Sequence, residues 1–183
     1  MIERVLIAEF RKIGRDIFVA GLITSHGGNL SVRQGDRIVI TRRGSMLGRL
    51  TEDDIVETGM EPGDDALCSR EIVVHRAIYA ATDALAIAHV HPVHTIAWSM
   101  RADEIVPEDS EGLYVLGRVP VVTAEQTIAS PEAGELLARA LKDHPVAVLR
   151  SHGPFAKGAS LEEAFYHVSA LEASAQVLDL LGR

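Results

Sequence analysis

Apolar residues recur at helical spacing near the start of the chain. Leu6, Phe10, Ile13 and Ile17 share one face of a helix over about 3–20, and Gly21 follows as its stop. A loop of small and turn-forming residues, Thr24-Ser25-His26-Gly27-Gly28-Asn29, comes next. Residues 30–33 and 37–41 predict a short hairpin turned by Gln34-Gly35-Asp36. Residues 42–63 have no period and cluster acids at Glu52, Asp53 and Asp54. Ser69 is placed to cap a helix carrying Ile72, Val73, Arg76 and Tyr79 at helical spacing. Residues 84–90 predict a buried strand ended by Pro92, and 119–122 and 146–149 predict two more. Ser130-Pro131 opens a helix running to about 143. The capping box Ser160-Leu161-Glu162-Glu163 opens a last one that runs nearly to 183. The class is α/β or α+β, with helices around a sheet; periodicity alone does not set the topology. Without repeats, low-complexity tracts or linkers, 1–183 reads as a single domain.

Composition narrows the function classes. Of 183 residues, 47% are apolar, enough to build a core without staples, and Cys68 has no partner cysteine. The net charge of -8 argues against a broad nucleic-acid surface, and aromatics at 4% leave few base-stacking platforms. No apolar run approaches the roughly 18 residues of a membrane span. The opening Met1-Ile2-Glu3-Arg4 lacks a leader pattern, so a cytoplasmic location is expected.

Histidine is the unusual count: eight, three of them in His89-Val90-His91-Pro92-Val93-His94. At a strand end, His89 and His91 point to one face and can converge on a metal ion. About 0.35 such pairs would arise by chance, so the pair also fits a surface or core role. His152, at the exit of the strand 146–149 and before Gly153-Pro154, is the best third ligand. His94 reads as a supporting or packing residue, and His26, His75, His144 and His167 as non-ligands. Three imidazoles with an open position suit a catalytic zinc ion better than a structural one. Glu71, in the first turn of the helix after Ser69, is either a base beside that ion or a plain helix-start carboxylate. Gly27-Gly28-Asn29-Leu30-Ser31 with Thr41-Arg42-Arg43-Gly44 can cradle an anion or form a simple turn, and Arg42, Arg43 and Arg70 could add charge to it.

Gly28-Asn29-Leu30-Ser31-Val32-Arg33, Ile40-Thr41 with Gly44, Ser69-Arg70-Glu71, His89-Val90-His91 and His152-Gly153, in this order, resemble the class II aldolase/adducin family over nearly the whole chain. The resemblance implies a three-layer fold, with a central, mainly antiparallel sheet flanked by helices. It implies one Zn2+ per subunit held by His89, His91 and His152, with Glu71 as resting ligand and catalytic base. Gly28, Asn29, Arg43, Gly44, Ser69 and Arg70 would grip a substrate phosphate, and Tyr114 would be the general acid. The implied reaction cleaves L-fuculose 1-phosphate or a similar ketose 1-phosphate, through a metal-stabilised enediolate, to dihydroxyacetone phosphate and a small aldehyde. A homotetramer with interfacial active sites is implied as well. Alternatives on the same scaffold are a pentulose-phosphate 4-epimerase, a methylthioribulose-phosphate dehydratase, a 5-deoxypentulose-phosphate aldolase and a non-catalytic adducin-like module. A zinc hydrolase is a further class, although HExxH is missing. The chain departs from the family at Arg43 and Arg70, where hydroxyl residues are usual, and ends at Arg183 without the C-terminal tail of some members.

Overall fold

A computed structural model describes residues 2–183. Among the described residues, six α-helices flank one sheet: α1 (Arg4–Val19), α2 (Ile72–Ala81), α3 (Val93–Ser99), α4 (Ser110–Val115), α5 (Pro131–Ala140) and α6 (Leu161–Leu180). The strands are β1 (Asn29–Gln34), β2 (Arg37–Thr41), β3 (Ile55–Gly59), β4 (Ala86–His89), β5 (Glu104–Ile105), β6 (Val119–Val122), β7 (Val146–Leu149) and β8 (Gly153–Gly158). They lie in the order β3-β2-β1-β4-β8-β7-β6-β5. Every neighbouring pair is antiparallel except β6 and β7, so the sheet is mainly antiparallel as expected.

Both faces of the sheet are covered, which explains the continuous apolar runs of its central strands. Alternate residues go to opposite cores. Leu30, Ala86, Ala88, Val146 and Val148 meet Leu6, Phe10 and Ile13 of α1 and Leu161, Val168 and Leu171 of α6. Ile38, Ile40, Ile87, Ala147, Leu149 and Phe155 meet Val74 and Ile78 of α2 and Leu137 of α5. The result is three layers, helix–sheet–helix. No helix among the described residues is long and apolar enough to cross a membrane.

Several boundaries differ from the sequence reading. The segment 42–63 contains β3, whose alternation is masked by Glu57, Thr58 and Gly59 on a half-exposed edge strand. The strand predicted over 84–90 is the shorter β4, Ala86–His89, although Leu85 and Val90 on either side of it still donate to β8. The helix from Pro131 stops at Ala140. Ser69 does not cap α2: it opens a turn, its carbonyl accepting from Ile72 N, and Glu71 occupies the cap position. β5, β8, α3 and α4 were not legible in the pattern; α3 is capped from a distance by Glu172 of α6, which accepts from the backbone N–H of His94 and Thr95.

Candidate active site

The sheet brings the site together at one end. β4 ends at His89, whose cross-strand partners are Asn29 of β1 and Phe155 of β8. The chain then runs on extended, with Val90 N donating to Pro154 O and His91 N to Leu22 O, and the next-but-one side chain returns to the cavity. His152 sits in the turn between β7 and β8, its N–H donating to Leu149 O. Glycine is required where these segments cross. Gly28 has φ +77°, and a Cβ there would lie 2.7 Å from the His89 carbonyl oxygen. Gly153 has φ +146°, and a Cβ there would collide with the Val90 carbonyl oxygen.

Three ring nitrogens converge. His89 Nε2 lies 2.9 Å from His91 Nε2 and 3.3 Å from His152 Nε2, and the set falls within 4.8 Å. The opposite nitrogens fix the tautomers: His89 Nδ1–H donates to Pro154 O at 3.0 Å and His152 Nδ1–H to Thr127 O at 2.7 Å. Both Nε2 atoms therefore carry lone pairs toward the centre, the arrangement of metal-ligating imidazoles. A proton on His91 Nε2 can bridge to His89, whereas the His89 and His152 Nε2 atoms face each other with no proton between them. Burial, with the two neighbouring rings, holds His89 well below the ordinary imidazole range. His91 is lowered to about 4 by burial and by His152, and burial lowers His152 as well. The rings are thus neutral and free to bind at neutral pH, and Phe155 stacks on His89 at a centroid distance of 3.9 Å. These donors fit a divalent cation, with nitrogen ligands and room for more.

Glu71 lines the same cavity, outside the set of donor atoms that lie within 4.8 Å of one another. Its Oε1 accepts from Ala129 N–H at 3.1 Å. Its Oε2 is buried and has no hydrogen-bond partner. Burial raises its carboxyl above the usual range, partly offset by the Ala129 N–H and by Arg70. Ala129 (φ 53°) and Ser151 (φ 62°) are non-glycine residues in the left-handed region, one holding Glu71 and one preceding His152. Backbone strain of this kind collects at functional sites.

A cavity of about 300 Å³ opens over these groups and is also lined by Gly28, Asn29, Arg43, Gly44, Ser69 and Arg70. Two ties position its rim: Ser69 N donates to Thr41 O and Arg43 N to Leu67 O. Among the described residues, no carboxylate lies within ion-pair distance of the Arg42, Arg43 or Arg70 side chains. An acidic chain thus concentrates unpaired positive charge at one opening. A larger cavity of about 420 Å³ lies at the opposite end of β4, where Lys157 is already paired with Asp83.

Tyr114 is not brought to this cavity. It lies on α4 and is 91% exposed. His94 turns to α6, where its Nδ1 lies 2.6 Å from Asp179. Sequence reasoning missed the Thr127 and Pro154 carbonyls, for which no side-chain signal exists. It also missed His75, which bonds Asn29 at the cavity wall; the helical spacing of His75 and Tyr79 was the available signal.

The chain matches the Class II Aldolase and Adducin N-terminal domain over residues 8–178. It belongs to the class II aldolase/adducin family. Within this family, the crystal structure of L-fuculose-1-phosphate aldolase from Thermus thermophilus superposes with a TM-score of 0.96 at 38% identity, covering 98% of this chain and 95% of that one. The L-fuculose phosphate aldolase of Methanocaldococcus jannaschii is 32% identical over 171 residues, 92% of this chain and 93% of that protein. A probable bifunctional methylthioribose-1-phosphate isomerase/methylthioribulose-1-phosphate dehydratase of Nocardia farcinica is 30% identical over 196 residues. That match takes in 96% of this chain but only 36% of the relative, so the chain spans about a third of that protein's length. Class II aldolases use a divalent metal, and the three-histidine cluster is a site able to bind one.

Proposed function

We propose that the chain is a zinc-dependent aldolase that cleaves L-fuculose 1-phosphate or a similar ketose 1-phosphate to dihydroxyacetone phosphate and a small aldehyde. The observation that carries this reading is the juxtaposition of three convergent Nε2 atoms, two of them tautomer-fixed, with the partnerless Glu71 oxygen, under a rim of unpaired arginines.

His89, His91 and His152 would hold the zinc ion. When bound, it supplies electrostatic stabilisation to the negative charge that develops on the substrate. Arg43, Arg70 and Ser69, with the Asn29 amide and the backbone at Gly28 and Gly44, bind and orient the phosphate. As the C3–C4 bond breaks, its electron pair passes to the dihydroxyacetone-phosphate side. Protonated Glu71 gives its proton to that carbon, and takes it back in the condensation direction. Burial favours this shuttle, because a carboxyl with a raised pKa holds a proton nearer to neutral pH. The C4 hydroxyl must lose its proton as the aldehyde forms. We assign that proton to Tyr114, which is exposed on α4 away from the cavity of its own chain and, in this reading, acts in the cavity of a neighbouring copy. The proposed assembly is accordingly a homotetramer with shared sites, working in the cytoplasm as one domain over 1–183.

The test is an aldol-cleavage screen. The protein is stripped of metal and reloaded with zinc. It is then offered fuculose, rhamnulose, ribulose and 5-deoxyribulose 1-phosphates, with methylthioribulose 1-phosphate included because one relative carries a dehydratase name. Zinc-dependent release of dihydroxyacetone phosphate from a ketose 1-phosphate is expected. Dehydration of methylthioribulose 1-phosphate without aldol cleavage would replace this reading.

A further inference from the structure

Four buried polar side chains link α2 to β1. His75 and Tyr79, four residues apart, share one face of the helix, and Asn29 and Ser31, two apart, share one face of the strand. Tyr79 Oη lies 2.7 Å from Ser31 Oγ, Ser31 Oγ lies 2.6 Å from His75 Nδ1, and His75 Nε2 lies 2.5 Å from Asn29 Oδ1. All four residues are 5% exposed or less. Full burial holds His75 down to about 3, so its ring is neutral and has one donor nitrogen and one acceptor.

Such a chain can run in two directions. In one, Tyr79 donates to Ser31, Ser31 donates to Nδ1, and Nε2–H donates to the Asn29 carbonyl oxygen; every proton is used. In the other, the Asn29 amide donates to Nε2, Nδ1–H to Ser31 and Ser31 to Tyr79. The phenol proton is then stranded, because among the described residues Ser31 is the hydrogen-bond partner of that hydroxyl. A buried donor without an acceptor is strongly disfavoured. Tyr79 therefore sets the polarity and His75 transmits it.

We infer that His75 is a positioning residue for anion binding: with Ser31 and Tyr79 it holds the Asn29 amide so that its NH2 group, not its oxygen, faces the cavity. The ligand is the phosphate group of the substrate, so the inference rests on the sugar-phosphate reading above. An outward NH2 offers two donors to the anion beside Arg43 and Ser69. A flipped amide would set a carbonyl oxygen against it. Asn29 cannot enforce this choice itself, since oxygen and NH2 occupy nearly the same space.

The experiment combines 15N spectra of histidine-labelled protein with titration by inorganic phosphate. Wild type is expected to show the Nε2–H tautomer of His75. Tyr79→Phe removes the terminal donor, so a population of the Nδ1–H tautomer is expected. His75→Phe should weaken phosphate binding about tenfold or more, the loss of a charge-assisted hydrogen bond. It should also raise KM for the phosphate ester while leaving kcat close to wild type. His75→Gln, whose amide nitrogen can reach the same Asn29 oxygen, should recover most of the affinity. Should His75→Phe fail to fold, Tyr79→Phe decides the matter, through the tautomer and a smaller loss of phosphate affinity. An Nδ1–H tautomer in wild type would overturn the inference, as would undiminished phosphate affinity in the folded variants. Absence of phosphate binding by wild type would overturn both the inference and the sugar-phosphate reading.

Discussion

Replacing Glu71 with Gln separates two consequences of one buried carboxylate. The side chain is 5% exposed, and Oε1 already has its partner in Ala129 N–H. Gln keeps that hydrogen bond through its own oxygen and changes only the partnerless position, from an anionic oxygen to an NH2 group. As a proton carrier, Glu71 should be worth about 10²–10⁴ in kcat, or about 2.7–5.4 kcal/mol at about 1.36 kcal/mol per decade. Stability should move the other way. Burial raises the folded pKa above the ordinary 4.5, so the protonated form contributes stability that is fully present below that value. It is lost as pH rises through the raised folded value. Gln carries no charge at any pH and loses nothing. Metal-free Glu71→Gln should therefore unfold at a higher temperature than metal-free wild type at pH 8, by about 2–4 °C per kcal/mol. The gap should close as pH falls toward 4.5. Steady-state cleavage and thermal melts across pH measure both. Near-normal kcat would remove Glu71 from the chemistry; equal or lower melting temperature at pH 8 would contradict the buried-charge argument.

Other outcomes follow from the same geometry. Zinc at about 100 times its Kd should stabilise wild type by about 2.7 kcal/mol, or about 5–11 °C in Tm for a chain of this size. His152→Ala should lose most of that shift, and an undiminished shift would place the ion elsewhere. Arg43→Thr should raise KM for the phosphate ester more than it lowers kcat, and an unchanged KM would put Arg43 outside the pocket. Tyr114→Phe should lose turnover but keep its zinc. Refolding it together with Glu71→Gln should restore a fraction of the activity, because mixed assemblies pair an intact Tyr114 with an intact Glu71 of another copy. No recovery would sink the shared site.

Side chains that act alone or at fixed spacing were the legible part of this protein. The α1 stripe from Leu6 to Ile17 and the caps at Ser130 and Ser160 each carry a local signal, and the elements stand where that signal puts them. The spacing of His89 and His91 at a strand end suffices to aim both rings at one cavity. Long-range pairing left no such trace. β3 is an edge strand with a mixed face, and β8 follows β7 after three residues without an alternating pattern. α3 takes its cap from Glu172, 78 residues downstream of His94. The carbonyls of Pro154 and Thr127 fix the tautomers at the centre, and a backbone oxygen has no sequence signature. His75 looked like one scattered histidine because its role depends on Ser31, 44 residues away.

Three imidazoles, two from the end of β4 and the residues just past it and one from the β7–β8 turn, are proposed to surround one divalent cation. Crystals of zinc-loaded protein, measured on either side of the zinc absorption edge, test it directly. A single anomalous peak is expected about 2.0–2.1 Å from the Nε2 atoms of His89, His91 and His152. A fully loaded protein with its peak elsewhere, or with one of these rings turned away from it, would rule out the three-histidine site.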